Sequence, residues 1–431
     1  QGGPVMSAAL GGDIFLHVLL ALTAIIVTGQ LLARLFAYVS QPPVIGEVIA
    51  GILLGPSFLG PQLSALILPP SVAPFLGVIA QLGVVLYMFL VGLELNLALL
   101  KQRVHATVAT SHAGILVPFV LGAWLALFLY PQLSNSAVTF TSFALFIGVA
   151  MSITAFPVLA RILTDYRLTR TSLGVVALSC AAVDDVTAWC LLAFVVGVVK
   201  AQMGAGLLVA VEAVAFITFV FLVGRPLLEW ITRRWGGEGQ SRELVTLIFV
   251  ALLLAALTAE AIGIHAIFGA FLLGAVIPHD SVVARTLTRQ LDRVVTILLL
   301  PAFFALTGMR TQINLLTTPT LWLICGLIIL VATLGKFGGT FAAARLTGLS
   351  WRPAAMLGAL MNTRGLMELI VLNIGLDLGI ISPTLFAMMV LMALVTTALT
   401  SPALHWLRAQ ATSAAESDML TELAPSSSGE S

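Results

Sequence analysis

The sequence predicts an all-α membrane protein of about thirteen transmembrane helices, built as two inverted repeats. Three observations predict it: extreme hydrophobicity, alternating charge in the loops, and an internal repeat offset by an odd number of helices. Of the 431 residues, 60% are apolar and 9% are charged, and the mean hydropathy is +1.10. A soluble domain carries about 25% charged residues, so a soluble fold is excluded. Apolar runs long enough to span a bilayer recur from Ile14 to Leu407.

The runs fall near 12–39, 44–59, 73–95, 105–130, 138–163, 170–200, 205–230, 243–261, 264–278, 290–308, 318–346, 352–377 and 383–407. They are called segments 1 to 13 below. Segments 2 and 9 are short and rich in glycine and proline. Sixteen of the twenty Lys and Arg residues lie after odd-numbered segments: Arg34, Lys101, Arg103, Arg161, Arg167, Arg170, Arg225, Arg233, Arg234, Arg242, Arg285, Arg289, Arg293, Arg345, Arg352 and Arg408. Lys200 and Arg310 lie on the opposite side, and Lys336 and Arg364 fall inside spans. Basic loops stay in the cytoplasm, so the N-terminus is expected outside and the C-terminus inside.

Segment 2 reads IGEVIAGILLGP and segment 9 reads IHAIFGAFLLGAVIP; segment 3 ends LYMFLVGLELNL and segment 10 ends LPAFFALTGMRTQINL. Gly55 to Gly274 is an offset of 219 residues and Gly92 to Gly308 one of 216. The offset spans seven helices, so the copies are expected to be inverted. One transmembrane unit over 1–408 would hold repeats at about 12–200 and 243–407, joined by a helix at 205–230. Such repeats place a transport site near the bilayer midplane. The tail, 409–431, is rich in Ser, Ala and acidic residues and is expected to be cytoplasmic and disordered. The first residues show no basic stretch or cleavage site, so no signal peptide is expected.

The net charge of +1 gives no reason to expect nucleic acid as a partner. Cys180, Cys190 and Cys325 lie in apolar runs and read as small core residues, with no metal-ligand spacing. No nucleophile–base pair or phosphate-binding loop appears, so no enzymatic activity and no cofactor are expected. An intramembrane aspartyl protease would need its two aspartates on separate helices.

Ionisable side chains in mid-membrane cost about 2.5–3.5 kcal/mol each on insertion scales, so each needs a reason. Asp184 and Asp185 are adjacent in the centre of segment 6. Neighbours on a helix point about 100° apart and must find different partners. Two acids together in low dielectric favour proton uptake, which suits a site alternating between protons and a cation. Lys336 in segment 11 needs a carboxylate, Asp184 or Asp185, unless it snorkels to an interface.

Segments 5 and 12 are expected to break. Segment 5 holds Thr154 and Pro157, and the proline would free carbonyls that, with the Thr154 hydroxyl, face a cavity. Segment 12 holds Met361-Asn-Thr-Arg364-Gly365, with Gly365 as its break. Arg364 and Glu368, four residues apart, read with Glu47 of segment 2 as a structural ion network. Glu212 and Glu260, near helix ends, read as solvated, and Glu94 as interfacial; His265 reads as an interfacial histidine, with pH sensing as the alternative.

At these residues the chain resembles the monovalent cation:proton antiporter-2 family, which includes bacterial Na⁺/H⁺ antiporters, K⁺ efflux antiporters and plant cation/H⁺ exchangers. The matching stretches are QPPVIGEVIAGILLGP at 41–56, FLVGLELNL at 89–97, SITAFPVLARIL at 152–163, AAVDDVTAW at 181–189 and MNTRGLMELIVLNIG at 361–375. The resemblance implies a sodium/proton antiporter-like fold with interleaved dimerisation and core subdomains. The core would hold segments 3–5 and 10–12 with segment 6, and segments 5 and 12 would cross at their breaks. It also implies a homodimer in a cell membrane, a bacterial inner membrane, and elevator-like motion. Asp185 matches the cation-binding residue, as ligand for Na⁺ or K⁺. Asp184 and Lys336 match the coupling pair of electrogenic members.

The function expected is exchange of Na⁺ or Li⁺ for H⁺, electrogenic, with cation and proton competing at Asp185 and Thr154 adding an oxygen ligand. The segment 5 and 12 stretches look most like the plant exchangers, which leaves K⁺/H⁺ exchange as an alternative. A gated cation channel is a third reading, against which the inverted repeats and the lysine argue.

Overall fold

The computed structural model describes residues 4–39, 41–69, 71–94, 104–134, 138–168, 171–201, 206–235, 242–278 and 281–423. Lys101, Arg103 and Arg170 of the basic loops, residues 1–3 and residues 424–431 lie outside the described residues. The described residues hold helices and no strand, as lipid requires of a chain that must satisfy its own backbone hydrogen bonds.

Every predicted segment is helical. Among the described residues, nine helices are long and apolar enough to cross a bilayer, and the bent pair Trp351–Met361 with Leu366–Asp377 makes a tenth. Pro43–Leu54, Phe140–Ser152 and Ala266–Val276 are apolar but shorter. Twelve residues rise about 18 Å, short of the roughly 30 Å hydrocarbon core. Thirteen crossings therefore need segments 2, 5 and 9 to span with help from the residues around them. Segment 5 does so visibly: residues 153–155 are extended, and a second helix, Phe156–Asp165, follows.

The helices sort into two bundles. In the first, segment 2 packs on segments 1 and 10, and segment 9 packs on segments 3 and 8. In the second, segments 4, 5, 6, 11, 12 and 13 pack on one another. Segment 7 (helices Gly206–Phe219 and Arg225–Trp235 around a π turn) touches segments 6, 8 and 9 and so bridges the bundles. The core implied by the resemblance is corrected here. Segments 3 and 10 (Ala73–Glu94 and Val282–Arg310, the latter with a π turn at Val295–Leu299) belong to the first bundle, and segment 13 joins segments 4, 5, 6, 11 and 12 in the second.

Small residues explain that sorting, because they let backbones approach closely in lipid. A Cβ on Gly92 would strike the backbone of Phe271 and Gly274, and one on Gly308 would strike Val48 and Gly51. Segment 3 thus meets segment 9 as segment 10 meets segment 2. The seven-segment offset would exchange these two contacts.

The last helix runs from Pro383 to Leu423, past Ala409, where the composition predicts a disordered tail. Residues 409–423 include Ala, Glu, Leu and Met, all good helix formers, and they continue the helix ahead of them.

Candidate ion-binding site

The break in segment 5 organises the site. Helix Phe140–Ser152 ends there and leaves four carbonyls with no helical partner. All four are capped. The Ser152 hydroxyl donates to the Val149 carbonyl at 2.8 Å. Arg364 donates to the carbonyls of Ala150 at 3.0 Å and Met151 at 2.7 Å. Lys336 donates to the carbonyl of Ser152 at 2.6 Å. Two cations therefore sit where a helix C-terminus carries partial negative charge.

Segment 12 crosses segment 5 at both breaks. The Ala155 amide donates to the Thr363 carbonyl at 3.0 Å, and the Thr154 hydroxyl lies 3.2 Å from the Met361 carbonyl oxygen. Gly365 permits the approach, since a Cβ there would strike Val158 of segment 5. Segment 13 ties the break from behind: the Arg364 amide donates to Thr397 Oγ at 2.9 Å, and Thr397 Oγ donates to the Arg364 carbonyl at 2.7 Å.

Pro157 acts differently from the sequence expectation. The chain is already extended at residues 153–155, and Pro157 lies in the first turn of the second half-helix. No helical donor is needed there, so the proline starts a helix and does not kink one.

Asp184 and Asp185 lie on helix Ser172–Ala201, both buried. Asp184 accepts three hydrogen bonds, through both of its oxygens. Its Oδ1 accepts from Ser111 Oγ at 2.6 Å, and its Oδ2 accepts from Thr154 Oγ at 2.7 Å and Lys336 Nζ at 2.9 Å. Asp185 is 2% exposed, and its Oδ1 has no hydrogen-bond partner among the described residues. The two carboxylates do find different surroundings. Thr154, expected as a cation ligand beside Asp185, bonds Asp184 here.

Lys336 lies in a π turn, Leu334–Gly338. It makes three bonds, to Asp184, to Ser152 and to the Gly114 carbonyl at 2.8 Å. An ammonium has three donors, so the charged form is fully satisfied. Lys336 is wholly buried, which removes the snorkelling reading.

Arg364 and Glu368 form a fully buried pair at 2.9 Å. Glu47 does not join them, against the expectation of one network. No hydrogen bond links it to either residue among the described residues; it lines a cavity of about 450 Å³ with Tyr87, Glu94, Arg161 and Asp292. Segment 2 presents Gly46 and Gly51 to segments 1 and 10, which leaves Glu47 on the face between the bundles. That cavity lies at the helix ends bearing the basic loops. The opposite ends are closer: the cavity among Gln81, His265, Arg310 and Asp377 measures about 80 Å³. There Arg310 of the first bundle bonds Asp377 at 2.9 Å and Asn373 at 3.0 Å in the second. Asn373 Nδ2 also donates to Thr307 Oγ at 2.9 Å.

Sequence reasoning missed Ser111, Gly114, Ser152, Thr397 and the Arg310 contacts. The signal available for segment 4 was Pro118 inside an apolar run, four residues after Gly114.

A sodium/hydrogen exchanger transmembrane family model matches residues 18–409. The chain belongs to the sodium/hydrogen exchanger family. This antiporter is 44% identical over 393 residues to the Na⁺/H⁺ antiporter NhaS4 of Synechocystis, covering 90% of this chain and 96% of that one. It is 38% identical to cation/H⁺ antiporter 20 of Arabidopsis thaliana, covering 88% and 47%. It is 35% identical to K⁺/H⁺ antiporter 1 of Saccharomyces cerevisiae, covering 85% and 43%. The chain thus spans about half the length of the plant and yeast relatives. Its fold is that of the sodium/proton antiporter MjNhaP1 from Methanocaldococcus jannaschii, with a TM-score of 0.64 at 14% identity over 90% of this chain and 95% of that one. The chain is therefore a multi-pass membrane protein of a cation/proton antiporter family.

Proposed function

We propose that this antiporter exchanges Na⁺ for H⁺ at Asp185, with Asp184 and Lys336 as the coupling pair. The observation that carries the reading is the contrast between an Asp184 bonded through both oxygens and a buried Asp185 oxygen that has no partner among the described residues. A carboxylate oxygen left unpaired away from water is costly, and a proton or a hard cation relieves it.

Charge balance frames the exchange. Five acidic or basic side chains are buried among the described residues: Asp184, Asp185, Glu368, Lys336 and Arg364. Fully ionised, they sum to −1, and one proton on Asp185 makes the set neutral. As the cation arrives, Asp185 gives up that proton, Lys336 leaves Asp184 and surrenders its own, and the cation-loaded set stands at −1. More than one proton thus moves per cation, and the exchange is electrogenic. The larger cavity, lined by Glu47, Glu94 and Asp292, is the cytoplasmic approach. Transport proceeds as an elevator, the second bundle sliding against the first. Segments 1–6 and 8–13 form the inverted repeats, the N-terminus lies outside, and the first bundle dimerises.

The assay is exchange in proteoliposomes under an imposed ΔpH. Na⁺ is expected to dissipate the gradient in the wild type and not in Asp185→Asn. Full Na⁺-dependent proton release by that variant overturns the assignment. K⁺/H⁺ exchange is the second reading, favoured by the likeness to the yeast K⁺/H⁺ antiporter. Equal dissipation by K⁺ at equal concentration selects it.

A further inference from the structure

Lys336 takes two of its three acceptors from main-chain carbonyls, and each carbonyl has been freed from its helix. The Ser152 carbonyl is freed because helix Phe140–Ser152 ends there. The Gly114 carbonyl lies inside a continuous helix, Val104–Leu133, where it would normally accept from the amide of residue 118. Residue 118 is proline, buried and mid-helix, and it has no amide hydrogen to give. The oxygen left over is the one that accepts from Lys336 Nζ at 2.8 Å.

The surrounding packing fits that role. A Cβ on Gly335, beside Lys336, would meet Pro118 Cα, and one on Gly339 would meet Val117 and the Ala113 carbonyl. Glycines in segment 11 thus bring the lysine's helix against the proline's turn. The π turn at Leu334–Gly338 holds Lys336 at that crossing. Ser111, Gly114 and Pro118 are spaced three and four residues apart, so they share one helix face. From that face Ser111 holds Asp184 and Gly114 holds Lys336.

We propose that Pro118 is a positioning residue for ion exchange: by withholding an amide from the Gly114 carbonyl, it reserves that oxygen for the Lys336 ammonium. The carbonyl binds the protonated lysine, so it helps to set the pH at which Lys336 yields its proton. This rests on the coupling role proposed above for Lys336. The charged and titratable groups facing Lys336 are Asp184, Asp185 and Cys180 on segment 6, and Arg364 and Glu368 on segment 12. Segments 4 and 5 meet it through the carbonyls of Gly114 and Ser152.

The test is the pH profile of Na⁺-driven proton exchange in proteoliposomes holding the full chain. Pro118→Ala and Pro118→Gly both restore the amide while changing the side chain differently. Both are expected to move the midpoint to lower pH by about one unit, the size of one charge-assisted hydrogen bond. Pro131→Ala restores an amide in the same helix at an exposed position and is expected to leave the midpoint in place. An unmoved midpoint in both Pro118 variants overturns the proposal. So does a shift in one of them alone, or an equal shift in Pro131→Ala, because either marks a general effect of helix packing. Lys336→Ala separates the two levels. If its profile matches the wild type, the coupling role of Lys336 fails. If it changes while the Pro118 variants do not, only the positioning role fails. Adding Pro118→Ala to Lys336→Ala is expected to cause no further shift.

Discussion

Asp184 and Asp185 share a helix turn and a depth, and they differ in their company. Asp184 has a lysine and two hydroxyls on its oxygens; Asp185 keeps an oxygen with no partner among the described residues. The difference separates two tasks that one acidic pair could otherwise blur. A carboxylate bonded through both oxygens holds structure together, and one with an oxygen left unbonded is available to a ligand. Residue type does not distinguish them; the groups brought from segments 4, 5 and 11 do.

Stability measurements can break that contrast. The largest effect is expected for Lys336→Ala, which strands Asp184 without its cation. Loss of one partner of a buried pair costs about 3–5 kcal/mol, read as an earlier unfolding transition in detergent at neutral pH. Replacing both partners, as in Asp184→Asn with Lys336→Met, is expected to recover most of that loss while coupling stays abolished. A double variant as unstable as Lys336→Ala would mean that the pair does not behave as a unit.

Ser111→Ala comes next. It removes one hydrogen bond to a charged group, worth about 1.5–3 kcal/mol, and sharpens the claim that segment 4 holds Asp184. Asp185→Asn is expected to change stability by no more than about 1 kcal/mol although it stops exchange, because no bond to Oδ1 is lost. A destabilisation as large as that of Lys336→Ala would remove the distinction between the two aspartates. Arg310→Ala is expected to have the smallest effect, about 0–1 kcal/mol, since its pair with Asp377 is exposed.

Much of this was legible in the sequence, for reasons that can be stated. Charge inside an apolar run is conspicuous, so Asp184, Asp185, Lys336, Arg364 and Glu368 stood out, and the Arg364–Glu368 spacing foretold a pair. The broken backbone at Thr154 and Gly365 was marked by polar residues and glycine in a span. Ser111 and Gly114 were hidden, because small residues in membrane helices usually serve close packing. Glu47 was grouped with Arg364 on charge alone, and only the faces taken by Gly46 and Gly51 turn it toward the cavity. The membership of segments 3 and 10 depended on which glycines meet across space, which hydropathy does not encode. The helix beyond Ala409 was masked by serines and acids that read as disorder when taken without the helix they continue.

The bond between Arg310 and Asp377 joins the two bundles at the ends away from the basic loops, and both side chains are about half exposed, at 46% and 55%. Dissolved ions screen exposed charges beyond about 8 Å at physiological ionic strength and beyond about 3 Å at 1 M, so a contact of 2.9 Å weakens as salt rises toward the molar range. The two bundles are thus fastened at that end by an attraction that the surrounding electrolyte itself weakens. A protein whose cargo is salt carries a clasp that loosens as salt accumulates beside it.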